Sequence, residues 1–501
     1  MDKDIRTITS ILIANRGEIA LRVIRACKEA GLKSIAVYSD SDARAMHVRM
    51  ADESVRIGEP PPNMSYLNQD AIITAAKQSG ADAIHPGYGF LSENAGFAHR
   101  VNDEGLIFIG PPPSAMALLG DKTAARALAE KLGVPVAPGT IDPIESPESA
   151  IAIASSIGYP VLIKAAGGGG GKGMRVVHSE AEFVNAVESA QREAKSAFGD
   201  GRVFIEKYFH HPKHIEFQIL ADEHGNCVHL GERECSVQRR HQKVIEESPS
   251  LALSPELRAR MGETACALIR AAGYTNAGTV EFLLDEHKNF YFLEVNARLQ
   301  VEHPVTELVT GIDLVREQIA IAEGAPLRFA QSDIIQRGWS IECRIIAENP
   351  MDGFMPSSGT IAHAALPQGI GVRNDAAIEN CMNVPPYYDS LLGKLIVHAE
   401  TRERAIERAR RALDEYFIAG VATSIPFCKF ALAHDSFISG AYNTGFVETY
   451  FTADSLAVPA DVLAAASVAA VFAREHEKSV IKSTPSSVNN NQWKSQRFDF
   501  D

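Results

Sequence analysis

The sequence predicts an α/β protein that opens with a doubly wound parallel sheet and continues with strands that pair antiparallel. A strand–helix–strand unit comes first: ILIAN, then apolar residues at helical spacing up to a C-cap at Gly31, then SIAVYSD. Such units build parallel sheets that carry helices on both faces. Later runs such as HIEFQILAD and TVEFLLD alternate apolar with polar residues, which favours antiparallel pairing.

Length and composition limit the class of protein. The 501 residues are 46% hydrophobic and 22% charged, which suits about two to four globular domains. A net charge of −14 argues against a general nucleic-acid binder. The chain shows no signal-peptide pattern and no run of roughly 20 apolar residues, so we expect no membrane partner. Seven scattered cysteines with no C-x-x-C pair indicate reduced thiols and a cytoplasmic location.

We expect four consecutive segments along the chain. An N-terminal domain, residues 1–115, ends at a triple proline, and a second domain, residues 116–330, holds most of the antiparallel strands. A third domain covers residues 339–450. The tail, residues 454–501, is predicted to be an alanine-rich helix followed by a disordered polar stretch that is too poor in apolar residues to fold.

Five consecutive glycines, residues 167–171, follow an apolar strand that ends in Lys164, and another strand, MRVVHS, resumes after them. Because glycine loses the most backbone entropy on folding, so many together indicate a need for bare backbone. A flexible linker is one interpretation, but a hairpin turn that donates N–H groups to phosphates fits the flanking strands better. The loop is not a Walker A loop, since Gly173 rather than Ser or Thr follows Lys172.

A pair of carboxylates is the second candidate site. In GTVEFLLDEHKNFYFLEVNAR, a four-residue hairpin loop would pair Asp285 with Phe290. Counting back along both strands places Glu281 directly opposite Glu294, with Asn296 on the same face. Like charges in this position destabilise a sheet unless something neutralises them. An exposed polar face is one interpretation, and the other is a site for Mg²⁺ or Mn²⁺ bridging nucleotide phosphates.

A polar stripe follows this hairpin. Arg298, Gln300 and Glu302 alternate with apolar residues beside the carboxylate pair. The stripe is either a solvated edge or a site for a small planar anion, and the alternation alone leaves both interpretations open.

Eight motifs in a fixed order carry a family resemblance. They are ILIANRGEIALRVIRACKEAG, IHPGYGFLSEN, GDK, IKAAGGGGGKGM, ERECSVQRRHQKVIEE, EFLLDEHKNFYFLEVNARLQVEHPVTE, ECRIIAE and PPYYDSLLGKLI. Together they resemble biotin carboxylase, the ATP-grasp component of biotin-dependent carboxylases, and they extend over residues 8–450. The resemblance implies an ATP-grasp fold with a Rossmann-like N-terminal domain, a lid at residues 137–208 and a C-terminal α+β biotin carboxylase domain.

The activity that the resemblance implies is MgATP-dependent carboxylation of biotin by bicarbonate, through carboxyphosphate. No Met is followed by Lys, so the acceptor motif Met-Lys-Met is absent, and biotin is expected on a partner chain or on a part of the protein outside this sequence. The implied partners are a biotin carboxyl carrier protein, a carboxyltransferase and a second copy of the chain, with Arg22 and Arg373 as candidate dimer contacts. The tail looks like the start of the interaction domain of acyl-CoA carboxylase α chains, and the final acceptor stays open.

Motif positions assign roles to individual residues, again as implications of the resemblance. Contacts to ATP are expected from Lys122, Lys164, Gly168, Gly169, Gly170, Gly171, Glu206, Lys207, Phe209, His214, Gln238 and His241. The metal ligands are Glu281, Glu294 and Asn296. Bicarbonate contacts Lys243, Arg298, Gln300, Val301 and Glu302, and biotin contacts Tyr88 and Arg344. The catalytic residues are Lys243, Arg298, the general base Glu302 and Arg344, which stabilises the biotin enolate.

Two other functions stay open. A different ATP-grasp ligase would join an acyl phosphate to an amine, and it would not need Arg344 beside biotin. A nucleotide-binding regulatory relative, which is not an enzyme, should lack Glu302, Lys243 or Arg298, but all three are present.

Overall fold

The structure, a computed structural model, describes residues 6–140, 143–144, 146–165, 174–457 and 460–482. The chain divides into two compact units, Met1–Phe451 and Thr452–Asp501. Among the described residues, no helix has the length and apolar character needed to cross a membrane. Short 3₁₀ turns occur at Asp40–Asp42, Pro62–Met64, Gln331–Asp333, Pro350–Asp352 and Ala453–Leu456.

The first segment is a doubly wound parallel sheet, as predicted. Its elements are β1 (Ser10–Ile13), α1 (Gly17–Ala30), β2 (Lys33–Ser39), α2 (Met46–Met50), β3 (Glu53–Gly58), α3 (Gln69–Ser79), β4 (Ala83–His85), α4 (Ala95–Asp103) and β5 (Ile107–Phe108). The strand order is β3-β2-β1-β4-β5, so the winding reverses at β1. Gly31 ends α1 at φ 73° and donates to the carbonyls of Cys27 and Lys28, which confirms the predicted C-cap.

The second segment begins with four helices and three strands, and two of these strands flank the glycine run. Its elements are α5 (Pro113–Gly120), α6 (Lys122–Lys131), α7 (Pro147–Ile157), β6 (Val161–Ala165), β7 (Met174–Val177), α8 (Glu180–Phe198) and β8 (Val203–Lys207). The strands form an antiparallel sheet in the order β7-β6-β8, and Lys164 pairs with Met174. The strands that flank the glycines therefore pair as a hairpin, while the glycine loop itself lies outside the described residues.

The remainder of the second segment supplies most of a large sheet. Its elements are β9 (Lys213–Ala221), β10 (Cys227–Arg239), β11 (Gln242–Ser248), α9 (Pro255–Ala271), β12 (Asn276–Leu284), β13 (Phe290–Asn296), α10 (His303–Thr310) and α11 (Leu314–Ala322). The pairs between β9 and β10, β9 and β12, and β12 and β13 are antiparallel, as the alternation predicted. One core joins this sheet to the first segment and includes Leu12, Ile84, Phe217 and Phe282.

The predicted hairpin between β12 and β13 needs a correction at its turn. Phe290 pairs with Leu284, not with Asp285, because the loop is one residue longer than predicted. A β-bulge then shifts the register between Phe282 and Glu281. This shift compensates the longer loop, so Glu281 does lie directly opposite Glu294.

The third segment extends the same sheet. Its elements are β14 (Trp339–Ile346), β15 (Glu348–Asn349), β16 (Met355–Pro356), β17 (Gly359–Thr360), β18 (His363–Ala365), β19 (Val372–Ala376), β20 (Asn383–Val384), β21 (Leu391–Ala399), α12 (Arg402–Glu415), β22 (Phe417–Ala419), α13 (Ile425–Ala433), α14 (Asp435–Ile438) and α15 (Phe446–Tyr450). The large sheet runs β13-β12-β9-β10-β11-β14-β21-β19, and β11 pairs antiparallel with β14. The sheet is therefore continuous across the expected boundary between the second and third segments.

The tail contains the alanine-rich helix that the sequence predicted, α16 (Ala460–Lys482). Large apolar side chains on this helix are exposed, among them Val468, Val471 and Phe472. The polar stretch that was expected to be disordered lies outside the described residues from position 483 onward.

Candidate active site

A row of charged side chains crosses the large sheet. The strand register pairs Arg233 of β10 with Glu216 of β9, Glu216 with Glu281 of β12, and Glu281 with Glu294 of β13. Directly paired residues on neighbouring strands project from the same face of a sheet. Glu216 and Glu281 are buried, so three adjacent carboxylates need cations close by.

Lys243 of β11 supplies the central cation. Its Nζ donates to Glu216 Oε2 at 2.5 Å, to Glu281 Oε1 at 2.8 Å and to Glu302 Oε1 at 2.7 Å. Burial lowers the pKa of Lys243, but Glu216, Glu281 and Glu302 outweigh burial and raise that pKa well above its ordinary value. The lysine is therefore an ammonium that gathers three carboxylates from three parts of the chain.

Glu302 joins this lysine to Arg344. It lies just before α10, and its Oε2 accepts from Arg344 Nη2 at 2.8 Å while its Oε1 accepts from Lys243. Burial raises the pKa of Glu302, but Lys243, Arg344 and Arg233 hold it well below its ordinary value. Glu302 is thus a fully buried carboxylate that stays ionised. Arg344 also donates from Nε to Glu246 Oε1 at 2.6 Å, so its guanidinium is held on two sides.

The polar stripe forms a fixed guanidinium beside this cluster. Arg298 donates from Nη1 to Gln300 Oε1 at 2.8 Å and from Nη2 to Asn296 Oδ1 at 2.9 Å. Its Nε donates to Glu93 Oε2 at 2.9 Å. Gln300 in turn donates to Glu281 Oε1 at 3.1 Å. The stripe is therefore an ordered edge of the charged cluster, with the Arg298 guanidinium fixed by three side chains.

The expected metal ligands lie together, and their electrostatics suit a divalent cation. Burial and the neighbouring Glu281 raise the pKa of Glu294 above its ordinary value. Burial would also raise the pKa of Glu281, but Lys243 and His214 lower it. Asn296 donates to Glu281 Oε1 at 2.9 Å and offers its own oxygen to Arg298. A cation between the two carboxylates would relieve their repulsion, and hard oxygen ligands fit Mg²⁺.

His214 links the carboxylate row to Gln238, another residue expected to contact ATP. Its Nε2 lies 3.0 Å from Glu281 Oε2, and its Nδ1 lies 3.0 Å from Gln238 Nε2. His214, Glu216 and Glu281 also bring their ligand atoms close enough to hold a metal ion. His241 sits at the turn after β10 in the left-handed region, at φ 64°.

Other expected ATP contacts lie on the three-stranded sheet, just after it, and at the start of α6. Lys164 of β6 forms an ion pair with Glu206 of β8. Lys207 Nζ donates to the Gly158 carbonyl at 2.8 Å, and the Phe209 ring packs 4.5 Å from the Tyr291 ring. Lys122 is the first residue of α6, whose N-cap is Asp121. The glycines at 168–171 lie outside the described residues.

Tyr88, expected on the biotin side, belongs to the first segment and contacts that segment and the third. Its hydroxyl donates to the Glu18 carboxylate, and Lys394 Nζ lies 5.8 Å from the centre of its ring. Lys394 Nζ also donates to the Val301 carbonyl at 2.8 Å. Tyr88 and Val301 are therefore joined through residues to which the sequence assigned no role.

The two arginines expected at a dimer contact share a buried carboxylate within the chain. Arg22 donates to Glu307 Oε1 at 2.8 Å and to Asp313 Oδ1 at 2.6 Å. Arg373 donates to Glu307 Oε2 at 2.7 Å and pairs with Asp375. Their role in a dimer stays a prediction.

Several residues of the site were missed by the sequence reasoning. They are Glu93, Glu216, Arg233 and Glu246. Cys235 was a weaker candidate, since it stands in a polar stretch of the sequence, and its Sγ lies 3.9 Å from Glu302 Oε1. Glu216 carried a usable signal, since a carboxylate within an apolar strand needs a counter-charge just as Lys164 does. Cys235 is fully buried, and burial raises its thiol pKa well above the ordinary value. It is therefore a neutral thiol and not a nucleophile.

The fold and the charged cluster define an ATP-grasp enzyme, and comparison with known families agrees. Residues 121–330 match the family model described as "Carbamoyl-phosphate synthase L chain, ATP binding domain". Residues 7–116 match "Biotin carboxylase, N-terminal domain", and residues 342–449 match "Biotin carboxylase C-terminal domain".

Similar proteins are related along most of the chain. Biotin carboxylase 1 of Bacillus subtilis is 52% identical, over 88% of this chain and 99% of that protein. The biotin carboxylase of a Nostoc species is 53% identical, over 87% of this chain and 98% of that protein. The biotin carboxylase domain dimer of Hydrogenobacter thermophilus 2-oxoglutarate carboxylase, solved with MgADP, ADP and bicarbonate, is 47% identical. Its TM-score is 0.87, over 91% of this chain and 100% of that one.

The chain belongs to the biotin carboxylase family: it is the ATP-dependent ligase component of a biotin-dependent carboxylase. Its reaction is the carboxylation of biotin by bicarbonate, with ATP and Mg²⁺.

Proposed function

We propose that Glu302 and Arg344 divide the chemistry of this reaction between bicarbonate and biotin. Glu302 removes the proton of bicarbonate, and Arg344 stabilises the biotin enolate. The observation that carries the proposal is the position of Glu302, whose two oxygens accept from Lys243 and from Arg344. The Glu302 carboxylate, which would accept the proton of bicarbonate, thus lies beside the Arg344 guanidinium, which would stabilise the biotin enolate.

Bicarbonate binding is supported by donors of the right shape. A planar anion matches the fork of a guanidinium, and the Arg298 fork is fixed by Asn296, Gln300 and Glu93. Lys243 adds a second positive charge, and Val301 adds its backbone. Because Glu302 is ionised, it is ready to accept the proton, and removal of that proton makes bicarbonate a better nucleophile.

The enolate half of the reaction rests on Arg344. The ureido nitrogen of biotin is a weak acid, so negative charge must be stabilised on the ureido oxygen as the proton leaves. A guanidinium held by Glu246 and Glu302 does not need to reorganise when that charge develops. Tyr88 borders the same side of the site in this proposal.

The metal site is proposed at Glu281, Glu294 and Asn296. The row of adjacent carboxylates supports it, because a bound cation would neutralise the repulsion between Glu281 and Glu294. The ion, when bound, neutralises phosphate charge on ATP. His214 and Gln238 would keep their side of the nucleotide site oriented through their mutual hydrogen bond.

The lid is proposed to exclude water from carboxyphosphate, which hydrolyses easily. The three-stranded sheet with α7 and α8 has its own apolar core, which includes Ile163, Val177, Phe183 and Ile205. A segment with its own core can move as one piece. As the lid closes, ATP would then be bound by the residues expected to contact it, which are Lys164, Glu206, Lys207, Phe209, His241, Lys122 and the glycines at 168–171.

The larger assembly is also a proposal. The chain would serve a biotin carboxyl carrier protein and a carboxyltransferase as an acyl-CoA carboxylase α chain, which the predicted interaction helix in the tail supports. A homodimer is supported by the dimeric Hydrogenobacter relative. A cytoplasmic location is supported by seven unpaired cysteines. The matched ranges support domain limits at 1–115, 116–330 and 339–450, with a tail at 454–501.

The test is a carboxylation assay on the purified full chain with Mg²⁺, ATP, labelled bicarbonate and free biotin. The expected result is ADP together with labelled carboxybiotin. When biotin and bicarbonate are left out, no label should be transferred and ATP should not be fully cleaved. ATP cleavage that requires an amine and leaves biotin unlabelled would identify a different ATP-grasp ligase. ATP binding without turnover would identify a regulatory relative.

A further inference from the structure

Lys394 of β21 is fully buried, although the proposed reaction gives it no role. The sheet register places it directly opposite Arg344 of β14 on one side and Asp375 of β19 on the other. Two cations opposite each other destabilise a sheet, and a buried ammonium loses its hydration. The position is therefore unfavourable for a lysine unless its contacts are specific.

The contacts of Lys394 connect separate segments. Its Nζ donates to the Val301 carbonyl at 2.8 Å and lies 3.1 Å from Glu18 Oε1. Glu18 belongs to α1 of the first segment and also accepts from the Tyr88 hydroxyl. Burial lowers the pKa of Lys394, but Glu18, Glu342 and Asp375 outweigh burial and raise it. The residue is an ammonium that ties the first segment to the turn between β13 and α10.

That turn carries the residues proposed to hold and deprotonate bicarbonate. A peptide group is planar, so fixing the Val301 carbonyl also fixes the plane that leads into Glu302. Glu302 follows Val301 directly, and its side chain must reach Lys243 and Arg344 at the same time. A rotation of the plane would move the Glu302 Cα and misalign both contacts.

We propose that Lys394 is a positioning residue for the bicarbonate half of the reaction. Its ammonium, held by Glu18, fixes the peptide between Val301 and Glu302, so that the Glu302 carboxylate faces bicarbonate. The inference rests on the proposed function of Val301 and Glu302. It adds a residue that touches neither substrate and acts through the backbone.

The test measures bicarbonate-dependent ATP cleavage without biotin, so that effects through Tyr88 or Arg344 on biotin do not enter. Lys394→Met removes the donor and the charge and keeps a long side chain. The KM for bicarbonate should rise at least about tenfold, as expected for a lost charge-assisted hydrogen bond, while the KM for ATP stays unchanged. A merely structural role would lower stability without separating the two KM values.

Lys213→Met is the matched control. Lys213 Nζ also donates to a buried carboxylate, Glu234 at 2.6 Å, and to a carbonyl, that of Gly440 at 3.0 Å. It therefore loses the same kind of interactions away from Val301. The control should lose stability and keep the wild-type ratio of the two KM values.

Glu18→Gln is the second variant, because it keeps Lys394 and is nearly isosteric. It should raise the KM for bicarbonate by less than Lys394→Met does and leave the KM for ATP unchanged. If Lys394→Met does not fold, a flat bicarbonate KM in Glu18→Gln overturns the inference. Equal changes of both KM values in Lys394→Met, or no change in either, also overturn it. A wild-type chain without bicarbonate-dependent cleavage overturns the proposed function itself.

Discussion

Glu281 lies between Glu216 and Glu294 in the strand register, and the buried acids Glu216, Glu281 and Glu302 each have a partner of their own besides a shared lysine. Glu216 accepts from Arg233 Nε at 2.5 Å, Glu302 accepts from Arg344, and Glu281 has His214. Lys243 is shared by all three acids. Because removing one partner of a buried ion pair leaves an uncompensated charge, loss of the shared lysine should disturb the whole cluster.

Glu294 lies opposite Glu281, and burial and Glu281 raise its pKa more than the nearby charges of Lys122 and Lys243 lower it. This acid yields the first prediction. Glu294→Gln removes repulsion with Glu281, so stability should hold or rise by roughly 0.2–1 kcal/mol. The Mg²⁺ concentration for half-maximal ATP cleavage should rise at least about tenfold, since even outer partners of a metal site matter that much. Magnesium titration and denaturant unfolding measure the two effects.

Glu286→Gln is the control, because Glu286 lies in the loop of the same hairpin with an 88% exposed side chain. It should change neither the Mg²⁺ requirement nor stability. Equal Mg²⁺ requirements in the wild-type chain and in Glu294→Gln would mean that the pair of Glu281 and Glu294 has only a structural role.

The second prediction separates Glu302 from Arg344. Glu302→Gln should abolish bicarbonate-dependent ATP cleavage, because bicarbonate keeps its proton. Arg344→Ser should retain part of that cleavage but lose carboxybiotin by roughly a hundredfold, or about 3 kcal/mol, as for loss of one oxyanion donor. The measurement is ATP cleaved per carboxybiotin formed, with excess biotin. Equal loss of both products in Arg344→Ser would assign that residue to ATP or bicarbonate instead.

The third prediction concerns His85, whose Nδ1 accepts from the Gly87 N–H at 3.0 Å. Burial lowers the pKa of His85 to about 4, below its ordinary value near 6.5. The unfolded chain therefore binds this proton first as the pH falls, and stability is lost between about pH 6.5 and pH 4. The loss from this group at pH 5 is about 2 kcal/mol.

The comparison is with His85→Asn, which keeps an acceptor for the Gly87 N–H but cannot take up a proton. Urea unfolding at pH 7.5 and pH 5 should show a smaller loss of stability on acidification for the variant. Parallel pH dependence of the two proteins would mean that His85 does not titrate as burial requires.

At the scale of elements, the hairpin of β12 and β13 shows how far alternation along a sequence reaches. The face of Glu281, Glu294 and Asn296 was predicted from a count across the hairpin and from side-chain alternation. The turn was wrong by one residue, because a β-bulge depends on local backbone twist and leaves no clear sequence signature. The longer loop and the bulge shift the register in opposite directions, so the predicted pairing of Glu281 with Glu294 is confirmed.

The partners of that hairpin were beyond the reach of sequence reasoning. Arg233 and Glu216 belong to β10 and β9, and Glu93 belongs to the first segment, so only tertiary packing brings them to the site. The family resemblance supplied residue roles across these distances, while periodicity supplied only neighbours within one element. Contacts between segments are set by folding and cannot be counted along the chain.

The fourth prediction tests the end of α1. Gly31 has φ 73°, and a Cβ added there would meet no atom within 4 Å, so Gly31→Ala introduces only backbone strain. It should lower the free energy of unfolding by about 1 kcal/mol. Gly120→Ala, at an equally open position within α5, should instead raise stability by roughly 0.5–1 kcal/mol. Chemical denaturation measures both, and a loss in both variants would point to packing rather than dihedral angle.

At the scale of the whole molecule, the large sheet crosses from the second segment to the third at β11 and β14. The core of the third segment includes Val244 and Ile245 from β11 together with Ile341 and Leu395. Arg402 of α12 also donates to Glu247 of β11 at 2.7 Å. Residues up to Phe451 should therefore unfold together, although three family models divide them.

The fifth prediction follows that junction with a fluorescent reporter. The chain has two tryptophans, Trp339 and Trp493, and Trp339 Nε1 donates to Glu247 Oε2 across the junction at 2.6 Å. In Trp493→Phe, the urea midpoint of Trp339 fluorescence should coincide with the midpoints of far-UV circular dichroism and of activity loss. An earlier fluorescence midpoint would show that the third segment unfolds separately.

The shared sheet also limits how relatives can be recombined. A chimera that takes only residues 342–449 from another carboxylase would exchange β21 and most of β14 but keep the host's β11, and with it the partners of Arg344 and Arg402. The segment that one family model matches, residues 342–449, is therefore smaller than the segment that packs as one structural unit. Productive crossovers should fall before β10, so that both sides of the β11–β14 seam come from one parent.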